Sequence, residues 1–280
     1  MRSLHRGDGD VDGLSRATVW LFDVDNTLIR DIEHPEPFED ALALVGELKA
    51  RGKDLAILTN VGRLSARQVQ RTLHNVGLHF EEDRVFTAGA AAAAYVRNRN
   101  PEARCFVISE GGARDDFVAR GLEVTSNPPV DFVAVGADRG MTFQELNFAA
   151  KMVAQGADLI CISGSRSYPG VYLGTEDIYM GELSIVRAIE DATGKNAVIV
   201  GKPLPEIFAE VARSLGVQPR DVVMVGDNPN SDVAGARATG MTTVLVKRDP
   251  DNIVQFEAQG LDNTPHLIVE DLREIIPMLG

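Results

Sequence analysis

The stretch that decides the fold is Val19-Trp20-Leu21-Phe22-Asp23-Val24-Asp25-Asn26-Thr27-Leu28, in which an apolar run ends abruptly in two carboxylates. A strand places residues i and i+2 on the same side, so Asp23 and Asp25 share one face. Two like charges there repel each other and are costly to bury unless a cation or a shared proton compensates them. The pair therefore indicates a metal or acid/base site at the carboxyl end of a buried strand, where open α/β sheets bind ligands.

The composition is that of an ordinary globular chain and limits its partners. Of the 280 residues, 44% are hydrophobic and 25% are charged, which is enough apolar material for a sizeable core. The formal net charge of -13 and the lack of a large basic cluster argue against a nucleic-acid partner held through its phosphates. A small anionic substrate stays compatible if local cations or a metal offset the field.

Cysteine use and the amino terminus bear on location. Cys105 and Cys161 each lie in an apolar, strand-like run, so we expect buried reduced thiols, with a disulfide as the alternative. No apolar stretch reaches membrane-spanning length, and residues 1–16 are polar without the apolar core of a signal peptide. We expect a flexible tail at 1–16, a cytoplasmic location and no membrane partner.

Strand-like and helix-like segments alternate along the chain. Buried strands are predicted at 18–22, 54–58, 84–87, 105–109, 132–135, 159–163, 197–200, 222–225 and 243–246. Helices are predicted at 38–51, 65–75, 90–99, 142–155, 205–215 and 233–239. This rhythm predicts an α/β fold with a doubly wound, mostly parallel sheet.

Reactive side chains follow four of the predicted strands. Thr59 and Asn60 end the second strand, Lys202 lies in Gly201-Lys202-Pro203, and Asp227 and Asp232 follow the strand at 222–225. The carboxyl ends of parallel strands meet at one edge, so these groups should converge with Asp23 and Asp25. Hard carboxylate oxygens without His or Cys partners suit Mg²⁺, and a lysine and a hydroxyl near that cation suit a phosphoryl group.

Four segments together resemble a known family, the haloacid dehalogenase (HAD) superfamily, and more closely its NagD/p-nitrophenyl phosphatase-like branch. The resemblance covers nearly everything from Trp20 to about Val246. The matching segments are Asp23-Val24-Asp25-Asn26-Thr27-Leu28, Leu58-Thr59-Asn60, Gly201-Lys202-Pro203-Leu204-Pro205-Glu206-Ile207-Phe208, and Val225-Gly226-Asp227 through Asp232-Val233-Ala234-Gly235-Ala236. Each alone is a modest signal, whereas all four in this order are a strong one.

The resemblance implies a division of labour between the opening carboxylates. Asp23 would be the nucleophile that takes the phosphoryl group as an aspartyl phosphate. Asp25 would protonate the leaving oxygen and then deprotonate the attacking water. The Mg²⁺ ligands would be the carboxylates of Asp23 and Asp227 and the backbone carbonyl of Asp25.

The resemblance also implies supporting roles. Asp232, together with Asn228, would support the metal ligands from behind, either through water or through Lys202. Thr59, the Asn60 backbone and Lys202 would hold the phosphoryl oxygens as charge redistributes.

Four of these residues also have a simpler interpretation. Asp25 before Asn26 is compatible with an ordinary turn, Thr59 with a helix cap, and Lys202 with a solvated loop lysine. Asp232 is compatible with an N-cap of the predicted helix 233–239. The histidines show no ligand-like spacing, and we assign no catalytic role to His5, His34, His74, His79 and His266.

The middle of the chain is too long for one connection. Roughly 140 residues separate Asn60 from Lys202, far more than an α/β connection uses. We therefore expect a catalytic core at 17–100 and 197–280 and an inserted α/β domain at 101–196. In the resembled branch this insert is a cap that covers the active site and selects the leaving group.

One cap segment departs from the branch. The branch usually has Thr-Asn-x-Asp after the strand predicted at 159–163, whereas this chain has Ser163-Gly164-Ser165-Arg166. Arg166, with Ser165, is a candidate for recognising a second anionic group on the substrate; the alternative is a surface arginine. The substrate preference of better-known members should not be transferred.

The prediction is a Mg²⁺-dependent phosphatase whose partner is a small phosphorylated metabolite; a homodimer is suggested by analogy alone. A dehalogenase proper has no leaving alkoxide to protonate, so Asp25 argues against it. A receiver-like phosphorelay module has no room for the insert. A catalytically silent phosphate-binding protein on the same scaffold stays open.

Overall fold

The computed structural model describes residues 12–172, 175–248 and 262–279. Its helices are α1 (Asp12–Arg16), α2 (Glu39–Ala50), α3 (Ala66–Asn75), α4 (Ala88–Arg99), α5 (Gly112–Ala119), α6 (Phe143–Ala154), α7 (Glu182–Thr193), α8 (Pro205–Ser214) and α9 (Ala234–Thr239). Its strands are β1 (Val19–Phe22), β2 (Asp54–Thr59), β3 (Val85–Thr87), β4 (Arg104–Ile108), β5 (Glu123–Val124), β6 (Phe132–Val135), β7 (Asp158–Cys161), β8 (Ser167–Tyr172), β9 (Thr175–Met180), β10 (Val198–Ile199), β11 (Val222–Gly226), β12 (Thr242–Val246) and β13 (Leu267–Val269). None of the helices in these ranges combines the length and the apolar run needed to cross a membrane.

The first of two compact units comprises Met1–Thr59, Val69–Phe86 and Lys202–Gly280. Its six-stranded sheet has the order β13-β12-β11-β1-β2-β3, and the pairs β1–β2, β1–β11, β11–β12 and β12–β13 are parallel. The chain runs from β1 to one side through β2 and β3, and later continues on the other side through β11, β12 and β13. The strand order therefore reverses between β1 and β11, which confirms the predicted doubly wound sheet.

β1 lies inside this sheet, and all of its side chains are buried. The rings of Trp20 and Phe22 stack with centroids 6.5 Å apart. A strand that is covered on both faces has no polar position, which is why Val19–Phe22 is apolar throughout. The abrupt change to Asp23 marks the point where the strand reaches the edge of the sheet.

The second unit comprises Asn60–Gln68 and Thr87–Gly201. Its five-stranded sheet has the order β10-β7-β6-β4-β5, with all neighbouring pairs parallel. Apolar clusters cover its two faces, one with side chains of α6 and α7 and the other with side chains of α4 and α5. A separate antiparallel hairpin, β8–β9, is not predicted by the βα rhythm. Cys105 and Cys161 are buried free thiols, as expected.

The predicted domain boundaries are wrong at the start of the insert. The prediction begins it at residue 101, but the second unit already includes Asn60–Gln68 and α4. The alanine-rich face of α4 explains the difference, because Ala92, Ala93 and Val96 pack in one cluster with Phe117 of α5. The unit also extends past the predicted end at 196, to Gly201.

The predicted tail is too long. Residues 1–11 lie outside the described residues, but residues 12–16 form α1. Leu14 and Ala17 are fully buried, so this short helix is anchored to the first unit by apolar packing. The polar sequence around Leu14 conceals that contact.

Candidate active site

The carboxyl ends of β1, β2 and β11 bring three predicted residues to one edge of the first unit's sheet. Phe22 is in register with Ile57 of β2 and with Val225 of β11. Asp23 continues β1 by one residue, and its backbone N–H donates to the Val225 carbonyl at 2.9 Å. Thr59 ends β2 and is buried, and Asp227 directly follows β11. The edge lies at the switch point between β1 and β11, as expected for a ligand site in an open α/β sheet.

Lys202 joins two of the carboxylates. Its Nζ donates to Asp23 Oδ1 at 2.7 Å and to Asp232 Oδ1 at 2.6 Å. The lysine side chain is only 2% exposed and the Asp232 side chain is fully buried. The interpretation of Lys202 as a solvated loop lysine is therefore wrong. A buried amine with this geometry holds Asp23 in place and supplies positive charge beside it.

Asp232 is fixed by its own loop. Besides Lys202, its oxygens accept from the Asn228 backbone N–H at 3.1 Å and from Ser231 Oγ at 3.2 Å. The N-cap interpretation of Asp232 is wrong, because the cap residue of α9 is Val233 and no side chain caps that helix. In the loop before α9 it is the Asn228 side chain that accepts from the backbone amides of Asn230 and Ser231. Asn228 thus supports Asp232 in two ways: its backbone N–H donates to the carboxylate, and its side chain stabilises the turn that leads to Asp232.

Gly226 permits the close approach of Asp232. A Cβ at this position would lie 2.3 Å from Asp232 Oδ2 and 2.5 Å from its Cγ. Any larger residue would push the carboxylate off Lys202, so the glycine is required by the packing of the site.

Asp25 lies in a tight turn that sequence reasoning describes only in part. The Val24 carbonyl accepts from the amides of Thr27, Leu28 and Ile29. Asn26 adopts a left-handed conformation with φ of 56°, and its Nδ2 donates to Asp227 Oδ2 at 2.8 Å. The sequence motif around Asn26 predicts only a turn there, not this contact with Asp227. The signal for it is present, since Asn is one of the few residues that tolerates this conformation and still carries a donor.

The electrostatics of the cluster show a surplus of negative charge. Burial raises the pKa of Asp23 well above its ordinary value, against the lowering effect of Lys202. Burial, followed by the charge of Asp232, raises the pKa of Asp227 to about 7. Burial lowers the pKa of Lys202, but Asp23 and Asp232 outweigh it, so the lysine stays charged. One ammonium does not balance these carboxylates, and a further cation would.

The donor set fits a divalent metal. Asp23, Asp227 and Asp232 each offer a carboxylate oxygen, and these atoms lie within 4.8 Å of one another. Oxygen donors of this kind are those that Mg²⁺ prefers. Of the three, Asp232 accepts hydrogen bonds on both of its oxygens, which is consistent with its predicted role of supporting the metal ligands. Ligation through the Asp25 carbonyl stays a prediction.

Three predicted residues lie in the second unit. Asn60 is the first residue after β2, and Ser165 and Arg166 follow β7. Ser165 donates its N–H to Ser163 Oγ at 3.2 Å, and the Arg166 side chain is exposed. The Arg166 carbonyl accepts from Gly181 N and Ser184 Oγ, which fixes the backbone of this segment. Their phosphate-binding and specificity roles stay predictions.

Two family models and several curated proteins are similar to this chain in sequence. The family model described as haloacid dehalogenase-like hydrolase matches residues 20–123, and the one described as HAD-hydrolase-like matches residues 199–275. The chain is 30% identical to the 5'-nucleotidase YutF of Bacillus subtilis over 228 residues, which are 81% of this chain and 86% of that protein. It is 25% identical to the acid sugar phosphatase of Staphylococcus aureus over 93% of this chain and 97% of that protein.

Solved structures are similar over almost the whole chain. The 4-nitrophenylphosphatase of Thermotoga maritima superposes with a TM-score of 0.84 at 25% identity, covering 96% of this chain and 99% of that one. The p-nitrophenyl phosphatase of Archaeoglobus fulgidus superposes with a TM-score of 0.83 at 26% identity, covering 93% and 98%. With the family models and the relatives, these matches confirm the predicted resemblance. The chain therefore belongs to the haloacid dehalogenase-like hydrolases, within their NagD/p-nitrophenyl phosphatase-like branch of phosphatases.

Proposed function

We propose that this phosphatase hydrolyses small-molecule phosphate monoesters with Mg²⁺, through an aspartyl phosphate on Asp23. The observation that supports this most directly is the buried ammonium of Lys202 between Asp23 and Asp232. It leaves Asp23 oriented at the sheet edge, next to a carboxylate cluster that calls for a cation.

In the first step, a carboxylate oxygen of Asp23 attacks phosphorus and the bond from phosphorus to the ester oxygen breaks. Asp25 donates a proton to that departing oxygen, so the alcohol leaves neutral. Lys202 offsets the like-charge repulsion between the carboxylate and the phosphoryl group, and Thr59 contributes a hydroxyl at the same edge.

In the second step, Asp25 takes a proton from a water molecule, whose oxygen attacks phosphorus. The bond from phosphorus to the Asp23 oxygen then breaks, which releases inorganic phosphate and restores the carboxylate. Mg²⁺, held by Asp23, Asp227 and the Asp25 carbonyl, would supply positive charge to the phosphoryl oxygens. Asn26 and Asp232 keep these groups in position through Asp227 and Lys202.

The substrate class follows from the relatives only as a proposal. Relatives carry the names 5'-nucleotidase and acid sugar phosphatase, so nucleoside monophosphates and sugar phosphates are the first classes to assay. If Arg166 recognises a second anionic group, Arg166→Ala should raise KM for such substrates more than for p-nitrophenyl phosphate. Equal effects on both would remove Arg166 from the proposal.

The test is p-nitrophenyl phosphate hydrolysis with Mg²⁺ and with a chelator. We expect metal-dependent turnover in the parent and its loss in Asp23→Asn. Asp221→Asn is the matched control, because Asp221 lies just before the amino end of β11, at the opposite edge of the sheet. Turnover that persists in Asp23→Asn would refute the nucleophile assignment. A parent that binds phosphate without turnover would favour a silent binding protein.

A further inference from the structure

A buried ion pair holds the turn that carries Asp25. Arg248, just after β12, donates from Nη2 to the Thr27 carbonyl at 2.8 Å. The same guanidinium donates from Nη1 to Asp40 Oδ2 at 2.6 Å. Asp40 lies in the first turn of α2, so a strand end, a helix start and the turn meet at one guanidinium.

The pair is well shielded from water. The side chains of Arg248 and Asp40 are 10% and 7% exposed. Asp40 Oδ2 also accepts from the Leu272 backbone N–H at 2.8 Å, and the guanidinium lies 4.0 Å from the centroid of the Phe38 ring. Burying two charges is costly, and an ion pair in such a place contributes little net stability over an apolar pair. Its geometry is therefore better explained by what it holds than by the stability it adds.

The ion pair holds the turn that directly follows Asp25. Thr27 is two residues after Asp25 and one after Asn26, whose amide binds Asp227. The turn is thus bound at Asn26 to the metal-site carboxylate and at Thr27 to Arg248. Asp25 directly precedes these two bound residues. On its other side it is joined through Val24 and Asp23 to β1.

We propose that Arg248, oriented by Asp40, is a positioning residue for the acid/base Asp25. It does not touch the reacting atoms; it fixes the Thr27 carbonyl and, through it, the backbone from which the Asp25 side chain extends. Lysine would not replace it, since a single ammonium lacks the planar fork that reaches the carbonyl and the carboxylate at once. This inference rests on the proposed function, in which Asp25 protonates the leaving oxygen.

Leaving-group dependence distinguishes positioning from a purely structural role. p-Nitrophenolate is a stable anion and departs with little help from an acid, whereas an alkoxide needs a proton as it leaves. A displaced Asp25 should therefore slow alkyl phosphates such as glycerol phosphate more than p-nitrophenyl phosphate. A general loss of folded protein would slow both in the same proportion.

The experiment measures kcat/KM on both substrates at saturating Mg²⁺ for the parent, Arg248→Lys, Arg248→Met and Asp40→Asn, because kcat/KM reports the step in which the alcohol leaves, whereas hydrolysis of the aspartyl phosphate is common to both substrates. We expect kcat/KM for glycerol phosphate to fall about tenfold or more in the Arg248 variants, while kcat/KM for p-nitrophenyl phosphate stays within about threefold. Asp40→Asn should shift the ratio in the same direction but less. Arg237→Met is the control, because Arg237 pairs with Asp262 at 2.8 Å in the same unit without contacting the turn.

An unchanged ratio between the two substrates in the Arg248 variants would overturn the inference, as would the same shift in Arg237→Met. If Arg248→Met does not fold, Arg248→Lys decides, with fluorescence of the buried Trp20 as the check on folding. Loss of the proposed function is distinguishable, because the parent itself would then show no turnover of p-nitrophenyl phosphate or would keep it after Asp23→Asn.

Discussion

Replacing Lys202 with methionine should destabilise the first unit strongly, since it removes the ammonium that binds both Asp23 and Asp232. The lysine makes two charge-assisted hydrogen bonds at 2.7 and 2.6 Å while 2% exposed. Each such bond contributes about 1.5–3 kcal/mol. Removing one partner of a buried pair costs about 3–5 kcal/mol, and we expect a loss in that range because two buried carboxylates lose the ammonium that they share.

The assay is urea unfolding in the presence of a chelator, followed by tryptophan fluorescence. Trp20 is the single tryptophan of the chain and is buried in β1, so its signal reports the unit that contains the site. Lys53→Met is the matched control: its Nζ donates to the Ser15 and Ala17 carbonyls, not to a carboxylate. We expect that variant to lose only about 1 kcal/mol.

A double variant tests the electrostatic origin of the loss. Lys202→Met with Asp232→Asn removes one buried charge together with the lysine, so it should recover part of the free energy of unfolding lost in the single variant. Adding Mg²⁺ to the single variant should do the same. A loss below about 1 kcal/mol for Lys202→Met, or a double variant no more stable than the single one, would refute the reasoning.

Three further predictions concern two residues of the first unit and one of the second. Asn26→Gly keeps the left-handed turn but removes the donor to Asp227, so Mg²⁺ affinity measured by calorimetry should fall about tenfold; Asn26→Ala should lose about 1 kcal/mol more stability, and equal stability would argue against backbone strain. Gly226→Ala places a methyl 2.3 Å from Asp232 and should lower kcat about tenfold or more, whereas Gly46→Ala, with open space around it, should not. Burial raises the pKa of Asp116 to about 6, although hydrogen bonds from Thr87 and the Ala66 amide oppose it. The carboxyl of the native protein keeps its proton to higher pH than that of the unfolded chain. Its contribution to the free energy of unfolding is therefore full below about pH 4 and is lost as pH rises through about 6. In Asp116→Asn, the fall in the free energy of unfolding over this pH range, measured by urea denaturation followed by circular dichroism, should be smaller by up to about 3 kcal/mol, and an unchanged dependence on pH would contradict the assignment.

The sequence by itself determines the sheet and the composition of the site. Val19–Phe22 is buried on both faces, and such strands are apolar throughout, so the change to Asp23 marks the edge of the sheet. Parallel strands bring their carboxyl ends together, which is why the order of the strands predicts Asp23, Thr59 and Asp227 at one edge of the sheet. These inferences depend on local periodicity and on the order of segments, which a linear sequence records.

Only the tertiary structure decides which partners meet. Lys202 binds Asp23 across 179 positions of sequence, and Arg248 binds Asp40 across 208. No periodicity encodes such contacts, because they depend on how separate elements pack. The same holds for the boundary of the second unit, since the alanines of α4 are compatible with either sheet until their packing against α5 assigns them. The pair Asp23 and Asp25 can thus be identified from the local sequence. The contacts of Lys202 with Asp23 and of Arg248 with the turn after Asp25 depend on the packing of distant segments.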